Sequence, residues 1–353
     1  MIQSIQKALD KGARKFPTLQ FAMELPQEGI SYGYSSTHPG QTFHGASTGK
    51  LFTTVLLYQA IEEGLCALDT PVKAVLGEER IQGLFSKEGA TIGELLNHTS
   101  GINDYFESDT FTGTTFLQEV LRNPDRFFTP MELVDFTRKE QKPIGEPGER
   151  FLYSDTGFIL LGLILETLWG KPYQEILKER IFDPCELKDT ALCFYSDNFH
   201  QEDLAPLLLG KTDVRTYRSL SCDWAGGGLQ TTASDLLRFL KELREGRLLG
   251  AESLGSMARF DHPYRKGIVY GSGMMQLRFE EFFFLLKHLP RLQGHLGVTG
   301  VHLWYDPQRG DSFVLNVGST QGMVASFRLL IQILNLVFQG RRKGKNKNPK
   351  ENP

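Results

Sequence analysis

The 353-residue chain has little that would commit it to nucleic acid, to a metal or to a disulfide-stapled scaffold. Its 39 Lys and Arg against 42 Asp and Glu leave a net charge of -3, which gives no general attraction to nucleic acid or to an anionic membrane. Cysteine is scarce: Cys66, Cys185, Cys193 and Cys222 include no CxxC pair and read as reduced packing residues. The eight histidines lack metal-ligand spacing, so neither a metal nor another cofactor is expected. The start, Met1 to Asp10, has neither the basic residues nor the uninterrupted apolar stretch of an export signal. No later segment reads as a membrane span, and the expected location is the cytoplasm. There is no internal repeat.

What the chain does have is an ordinary apolar fraction of 40%, enough for one large domain or two unequal ones. Ile2, Ile5, Leu9, Ala13 and Phe16 recur at helical spacing, and the strands Leu19–Leu25 and Ile30–Tyr34 flank a Pro26-Gln27-Glu28-Gly29 turn. The turn Gly45-Ala46 then delivers Ser47 into a long apolar helix with Lys50 three residues on. That spacing sets hydroxyl and amine one turn apart on one face, and the positive helix N-terminus would favour the neutral amine of Lys50. Ser47 therefore reads as a nucleophile.

From Leu65 to Leu209 the signals are mainly helical, including Ile92–Asn97, Met131–Lys139 and Gly157–Trp169. Beyond the Gly226-Gly227-Gly228 run and a helix from Ser234 the text turns β-rich, with Ile268–Tyr270, Met274–Phe279 and Phe282–Leu286 as strands. A hairpin follows, Val301–Tyr305 and Phe313–Val317, and then a helix from Met323 to Phe338. The pattern implies an α+β fold in which residues 1–64 and 215–340 build an antiparallel sheet domain covered by terminal helices. Residues 65–214 would form a helical lobe, with a cleft between the two. The basic run after Gly340, residues 341–353, reads as a disordered, solvated tail, with a membrane-surface role for the last helix and this tail as the lesser alternative.

Single motifs say little here. Ser-x-x-Lys occurs twice, at Ser4 and Ser47; Tyr-Ser-Asp occurs at Tyr153 and Tyr195; His-x-Gly occurs at His38 and His295. Context selects Ser47, which opens the apolar helix, Tyr153, whose loop immediately precedes one, and His295, in a glycine-punctuated stretch before a strong strand. The trio Ser47-Thr48-Gly49-Lys50, Tyr153-Ser154-Asp155 and His295-Leu296-Gly297 resembles the serine β-lactamase and penicillin-binding-protein superfamily, in its branch of class C-like β-lactamases, D-alanyl-D-alanine carboxypeptidases and family VIII-type esterases. Leu95–Ile102, Pro147–Gly157 and Ala225–Asp235 resemble further segments of that family.

The resemblance implies a β-lactamase/transpeptidase-like fold and an acyl-enzyme serine hydrolase. Ser47 would attack a carbonyl, Lys50 and Tyr153 would relay the proton, and the backbone N–H groups of Ser47 and Val298 would form the oxyanion hole. Asp155, His295 and Gly297 would bind substrate. Many family members carry Asn where this chain has Asp155 and Lys where it has His295, which moves the expectation from β-lactams toward a small ester, amide or D-amino-acid peptide. Asp155 would either pair with Lys50 or recognise a cationic group. The alternatives are a β-lactamase and a catalytically silent sensor or binding module, the latter disfavoured because Ser47, Lys50 and Tyr153 are all present.

Two other mechanisms fit less well. Gly45-Ala46-Ser47-Thr48-Gly49 matches a nucleophile elbow, but the βα units that should precede one are missing. Gly49-Lys50 lacks the rest of a P-loop. His98 reads as a turn or packing residue, Trp169, Trp224 and Trp304 as core (Trp224 alternatively at the cleft), and Phe282-Phe283-Phe284 as part of a buried strand. No obligate protein partner is implied.

Overall fold

The computed structural model describes residues 1–86 and 89–347, with side chains in the last helix described through Arg342. One antiparallel sheet of eight strands organises it. In spatial order these are Ile30–Ser35, Gln20–Leu25, Ser312–Asn316, Val301–Tyr305, Leu292–Gly297, Met275–Leu277, Ile268–Tyr270 and His262–Arg265. The N-terminal hairpin thus sits on the C-terminal one, with Gln20 opposite Asn316 and Glu24 opposite Ser312. The central strands are buried on both faces because both are covered.

One face carries Phe21, Met23, Trp304, Phe313 and Leu315 against Ile5, Leu9, Leu330 and Ile333 of the two terminal helices. The other face contributes Ala22, Leu303 and Val314 to a core shared with the Lys50–Glu62 helix, the Ala233–Arg244 helix and the helices between residues 72 and 177. That alternation along each strand follows from the period of two. The Lys50–Glu62 helix is buried nearly all round, so it is a central pillar rather than an amphipathic surface helix.

Local chemistry explains the helix starts. Thr91 with Glu94, and Thr129 with Glu132, form reciprocal capping boxes. Ser154 caps the Asp155–Trp169 helix by accepting from the Gly157 amide at 3.2 Å, which leaves Asp155 in the first turn, where its charge suits the helix dipole.

Three expectations are corrected. Phe282–Leu286 is not a strand: Leu277 pairs directly with Leu292, so the intervening residues are an excursion made of short helical turns. Phe283, Phe284 and Leu285 are exposed there. The basic segment after Gly340 is not disordered through residue 347, since the terminal helix runs Met323–Lys347. Arg341 bonds Asp311 at 2.7 Å and Glu28 at 2.8 Å, neutralising a buried carboxylate; residues 348–353 of that expected tail lie outside the described part. Finally, one helix does meet the length and hydropathy of a span, Thr320–Arg342, with mean hydropathy 1.4. Its apolar residues Leu330, Ile333, Leu334 and Val337 pack on the sheet.

Candidate active site

Between Thr42 and Tyr58 every residue is buried except Ser47, which is half-buried and lines a cleft. The turn that presents it is strained: Ala46 has φ of 47°, in the left-handed region that residues with a Cβ rarely occupy. Two glycines let other backbone close on this turn. A Cβ on Gly227 would stand 2.3 Å from the Ala46 carbonyl oxygen and 3.0 Å from the Ser47 nitrogen. One on Gly297 would meet the Ala46 Cβ at 2.9 Å. The glycine run and the His295 strand therefore clamp the Ser47 turn from two sides.

Lys50 is fully buried and spends all three ammonium protons. It donates to Ser47 Oγ at 3.2 Å, to the Gly226 carbonyl at 2.6 Å and to Asp155 Oδ1 in a close ion pair. Burial alone would depress the amine, but the Asp155 charge and hydrogen bond outweigh it and hold Lys50 above its ordinary value. This reverses the expectation drawn from the helix N-terminus: a carboxylate 105 residues away in sequence decides the protonation state. Of the two roles considered for Asp155, pairing with Lys50 is the one adopted.

Tyr153 packs its ring beside the ammonium, 5.1 Å from Nζ to the centroid. Burial pushes its phenol well above the usual range and Asp155 adds to this, while a hydrogen bond with Ser47 works in the opposite direction. In this state both candidate bases are protonated.

His98 supports Tyr153. It lies 4.4 Å from that ring and 4.6 Å from Tyr270, centroid to centroid, and its Nδ1 accepts the Ser154 amide at 3.0 Å. Burial holds it neutral, with the Lys50 charge adding to the effect. The loop before Tyr153 is pinned to the same segment, Leu152 donating to the His98 carbonyl and Gly148 to that of Thr99.

His295 is brought near but does not line the cleft; Leu296, Val298 and Thr299 do. Its Nδ1 accepts the Leu296 amide at 3.0 Å, which leaves Nε2–H facing the Tyr270 hydroxyl at 3.2 Å. Burial pushes it down to about 3, so it is a neutral donor. Val298 follows it at the cleft edge, 37% exposed.

Several groups at the site carried no signal in the sequence reading. Asp104 is buried and accepts the Asp155 amide at 2.8 Å; burial, reinforced by Asp155, pushes its carboxyl up to about 7. Asp223 and Glu107 line the cleft with Asp155, and burial raises both, Asp223 to about 7. His44 Nε2 lies 3.5 Å from Asp223, but burial lowers that imidazole to about 4, so the contact is not an ion pair at neutral pH. Among the described residues Arg265 is the one Lys or Arg lining the cavity, whose volume is about 80 Å³. Among the described residues no cluster suited to a metal ion occurs. Tyr195, of the second Tyr-Ser-Asp, does not line the cleft.

The arrangement meets the geometric needs of acyl transfer: a hydroxyl on a rigid turn, a cation and a phenol on it, and backbone from a neighbouring strand beside it. Penicillin-binding protein 4 of Amycolatopsis lactamdurans is 32% identical over 145 residues, 41% of this chain and 34% of that protein. The chain matches no more than about a third of the length of the first curated relatives. Among solved structures, the D-stereospecific amidohydrolase from Streptomyces sp. superposes with a TM-score of 0.77 at 26% identity, covering 90% of this chain and 94% of that one. The D-amino acid amidase from Ochrobactrum anthropi SV3, complexed with L-phenylalanine amide, gives 0.80 at 25% identity over 96% and 99%. These share the β-lactamase/transpeptidase-like fold. The Beta-lactamase family model matches residues 16–334, and the chain belongs to that family of serine hydrolases of the β-lactamase and penicillin-binding-protein type.

Proposed function

We propose that this protein is a serine hydrolase for small amides and esters of amino acids bearing a free amino group, working through an acyl-enzyme on Ser47. The observation that carries the reading is the acid-rich lining of the cleft: among the described residues Asp155, Asp223 and Glu107 line it, with Arg265 as its one guanidinium. Asp155 is paired with Lys50 and Asp223 gives up its proton only at about pH 7, so it is above neutral pH that the lining favours a substrate ammonium over the carboxylate of a β-lactam, whose hydrolysis would be slow. The names of two structural neighbours, a D-stereospecific amidohydrolase and a D-amino acid amidase, point to the D series.

In this reading Ser47 Oγ attacks the carbonyl carbon and its proton passes through Tyr153 and Lys50 to the departing amine or alcohol. Water then hydrolyses the ester on Ser47 and returns the proton. The developing oxyanion is held by the amides of Ser47 and Val298. Lys50 must first be freed of its extra proton. A substrate ammonium near Asp155 competes for the carboxylate and lowers the cost of that step. His295 acts through Tyr270 as a positioning residue for Tyr153.

The test is hydrolysis of D-phenylalanine amide, its N-acetyl derivative and p-nitrophenyl butyrate by the wild type and Ser47→Ala. Turnover that requires Ser47, with the free-amine amide hydrolysed faster than its N-acetyl derivative, supports the reading. Equal turnover by Ser47→Ala removes the nucleophile, and equal or better turnover of the N-acetyl amide removes the ammonium site.

A further inference from the structure

The chain is acidic overall, yet its charge is unevenly placed. From Phe282 to Lys347 it has nine Lys or Arg and two acids, Asp306 and Asp311, and both acids are buried. Between Asp311 and Glu351 there is no acidic residue at all. The same region holds the most conspicuous apolar exposure among the described residues: Phe283 at 52%, Phe284 at 67% and Leu285 at 57%. Three consecutive large side chains held out into water are costly for a soluble surface and mark an interaction site.

This loop is anchored to the terminal helix. Phe282 packs on Phe327 at 5.6 Å between centroids, and His288 packs on Phe338 at 4.7 Å and meets Asn335 Oδ1 at 2.7 Å. The helix continues the apolar character through exposed Val324 and half-buried Phe327 and Ile331. Exposed Arg328, Lys287 and Arg342 flank it, and the helix ends in a run with Lys343, Lys345 and Lys347. A groove of about 990 Å³ adjoins the patch, with Leu334, Val337 and Phe338 in its wall and Arg342 beside it; Arg291 and Arg341, which also line it, are paired with Glu280 and with Glu28 and Asp311, so the charge of the face rests on Lys287, Arg328, Arg342 and the helix end.

We propose that this face docks the protein onto an anionic lipid bilayer surface, the Phe283-Phe284-Leu285 tip entering the headgroup and acyl boundary and the basic helix end facing acidic headgroups. Aromatic and aliphatic insertion beside a Lys/Arg cluster is the combination that holds peripheral proteins on acidic membranes without a spanning segment. The charge placement selects this occupant over a second copy of the chain, whose identical basic face would be repelled.

The experiment is co-sedimentation of the full chain with vesicles of phosphatidylcholine containing about 30% phosphatidylserine, and with phosphatidylcholine alone. Binding is expected only to the acidic vesicles and should fall away in roughly 0.5 M salt, where screening acts within a few ångströms. Phe283→Ser with Phe284→Ser should weaken partitioning by about tenfold or more. Neutralising Lys343, Lys345 and Lys347 to Gln should weaken it by roughly fivefold each, with p-nitrophenyl butyrate turnover retained in both variants. No binding by the wild type, equal binding to neutral vesicles, or binding indifferent to the Lys variants would overturn the proposal. Self-association that disappears with Phe283→Ser and Phe284→Ser, without vesicle binding, would overturn it in favour of a dimer.

Discussion

In the Asp155→Asn variant Lys50 keeps a hydrogen-bond acceptor but loses the opposite charge that holds its proton. Two unit charges about 4 Å apart at an effective dielectric near 20 interact by roughly 4 kcal/mol. Asp155 keeps 13% of its side chain exposed, so some of this is screened and about 2–3 kcal/mol is the working value for what the charge contributes to holding the Lys50 proton. Burial of Lys50 is then unopposed and acts in the same direction. The assay is the pH dependence of kcat/KM with p-nitrophenyl butyrate, an uncharged substrate that does not need Asp155 for binding. If neutral Lys50 is the proton acceptor, the acid limb moves to lower pH, because the charge that held the proton is gone and burial now acts alone. An acid limb that stays within about half a unit refutes the reasoning, because either Lys50 is not the titrating group or Asp155 does not hold it.

Stability gives an independent reading of the same pair. In the wild type Lys50 sits above its ordinary value, so its stabilising contribution is fully present below that value and is lost only as pH rises through the raised one. In Asp155→Asn the sign reverses: the folded state holds the proton less tightly than the unfolded chain, and stability falls as pH falls. The gap in urea midpoint between the two proteins should therefore be wide at neutral pH and close as pH rises through the raised Lys50 value.

Tyr153→Phe leaves the packing on His98 and removes the hydroxyl, so kcat should fall by roughly 100- to 10,000-fold with little change in melting temperature; a fall below tenfold would remove Tyr153 from the relay. Asp223 retains a proton in the folded state up to about pH 7, whereas its ordinary value is 3.8, so its contribution to stability is lost as pH rises between these values. Asp223→Asn should stabilise the fold by about 1–2 kcal/mol at pH 8, a figure reduced because a quarter of the side chain is exposed, and by nothing near pH 4. Urea unfolding at the two pH values checks this, and an equal effect at both refutes it. Gly297→Ala forces a methyl against the Ala46 Cβ at 2.9 Å; overpacking of this kind costs about 1–3 kcal/mol. The displaced strand should lower kcat at least tenfold, read alongside a thermal melt.

The parts of the fold legible in the sequence are those written in local periodicity. The N-terminal hairpin, the Ser47 helix, the Ser154-capped helix and the Val301–Asn316 hairpin all lie within a few residues of where apolar spacing and turn formers put them. Ser47, Lys50, Tyr153 and Asp155 could be selected because each sits at or beside a helix start, a position with its own sequence signature. Phe282–Leu286 misled because a run of five large apolar residues has no period, and without a partner strand β-propensity decides nothing. Arg341 misled because a basic residue near a terminus reads as solvated until a buried acid on another element, Asp311, is found beside it.

Lys50 marks the boundary of local reasoning at the site itself. Its position at the start of a helix argues for a neutral amine, and over a single turn that argument is sound. In the folded chain the helix-end field competes with a carboxylate in direct contact and with the Gly226 carbonyl, supplied from positions 155 and 226. A terminal half-charge contributes a fraction of what a full, poorly solvated charge does at contact distance. The third residue of Tyr153-Ser154-Asp155 thus sets the protonation of a lysine a hundred positions earlier, and Asp104, buried and bonded to the Asp155 amide, holds that residue in place. Asn in the same place could accept the same hydrogen bond and would leave Lys50 free of the charge. One oxygen exchanged for one nitrogen therefore decides whether Lys50 rests with its proton held by a carboxylate or with burial free to favour the neutral amine.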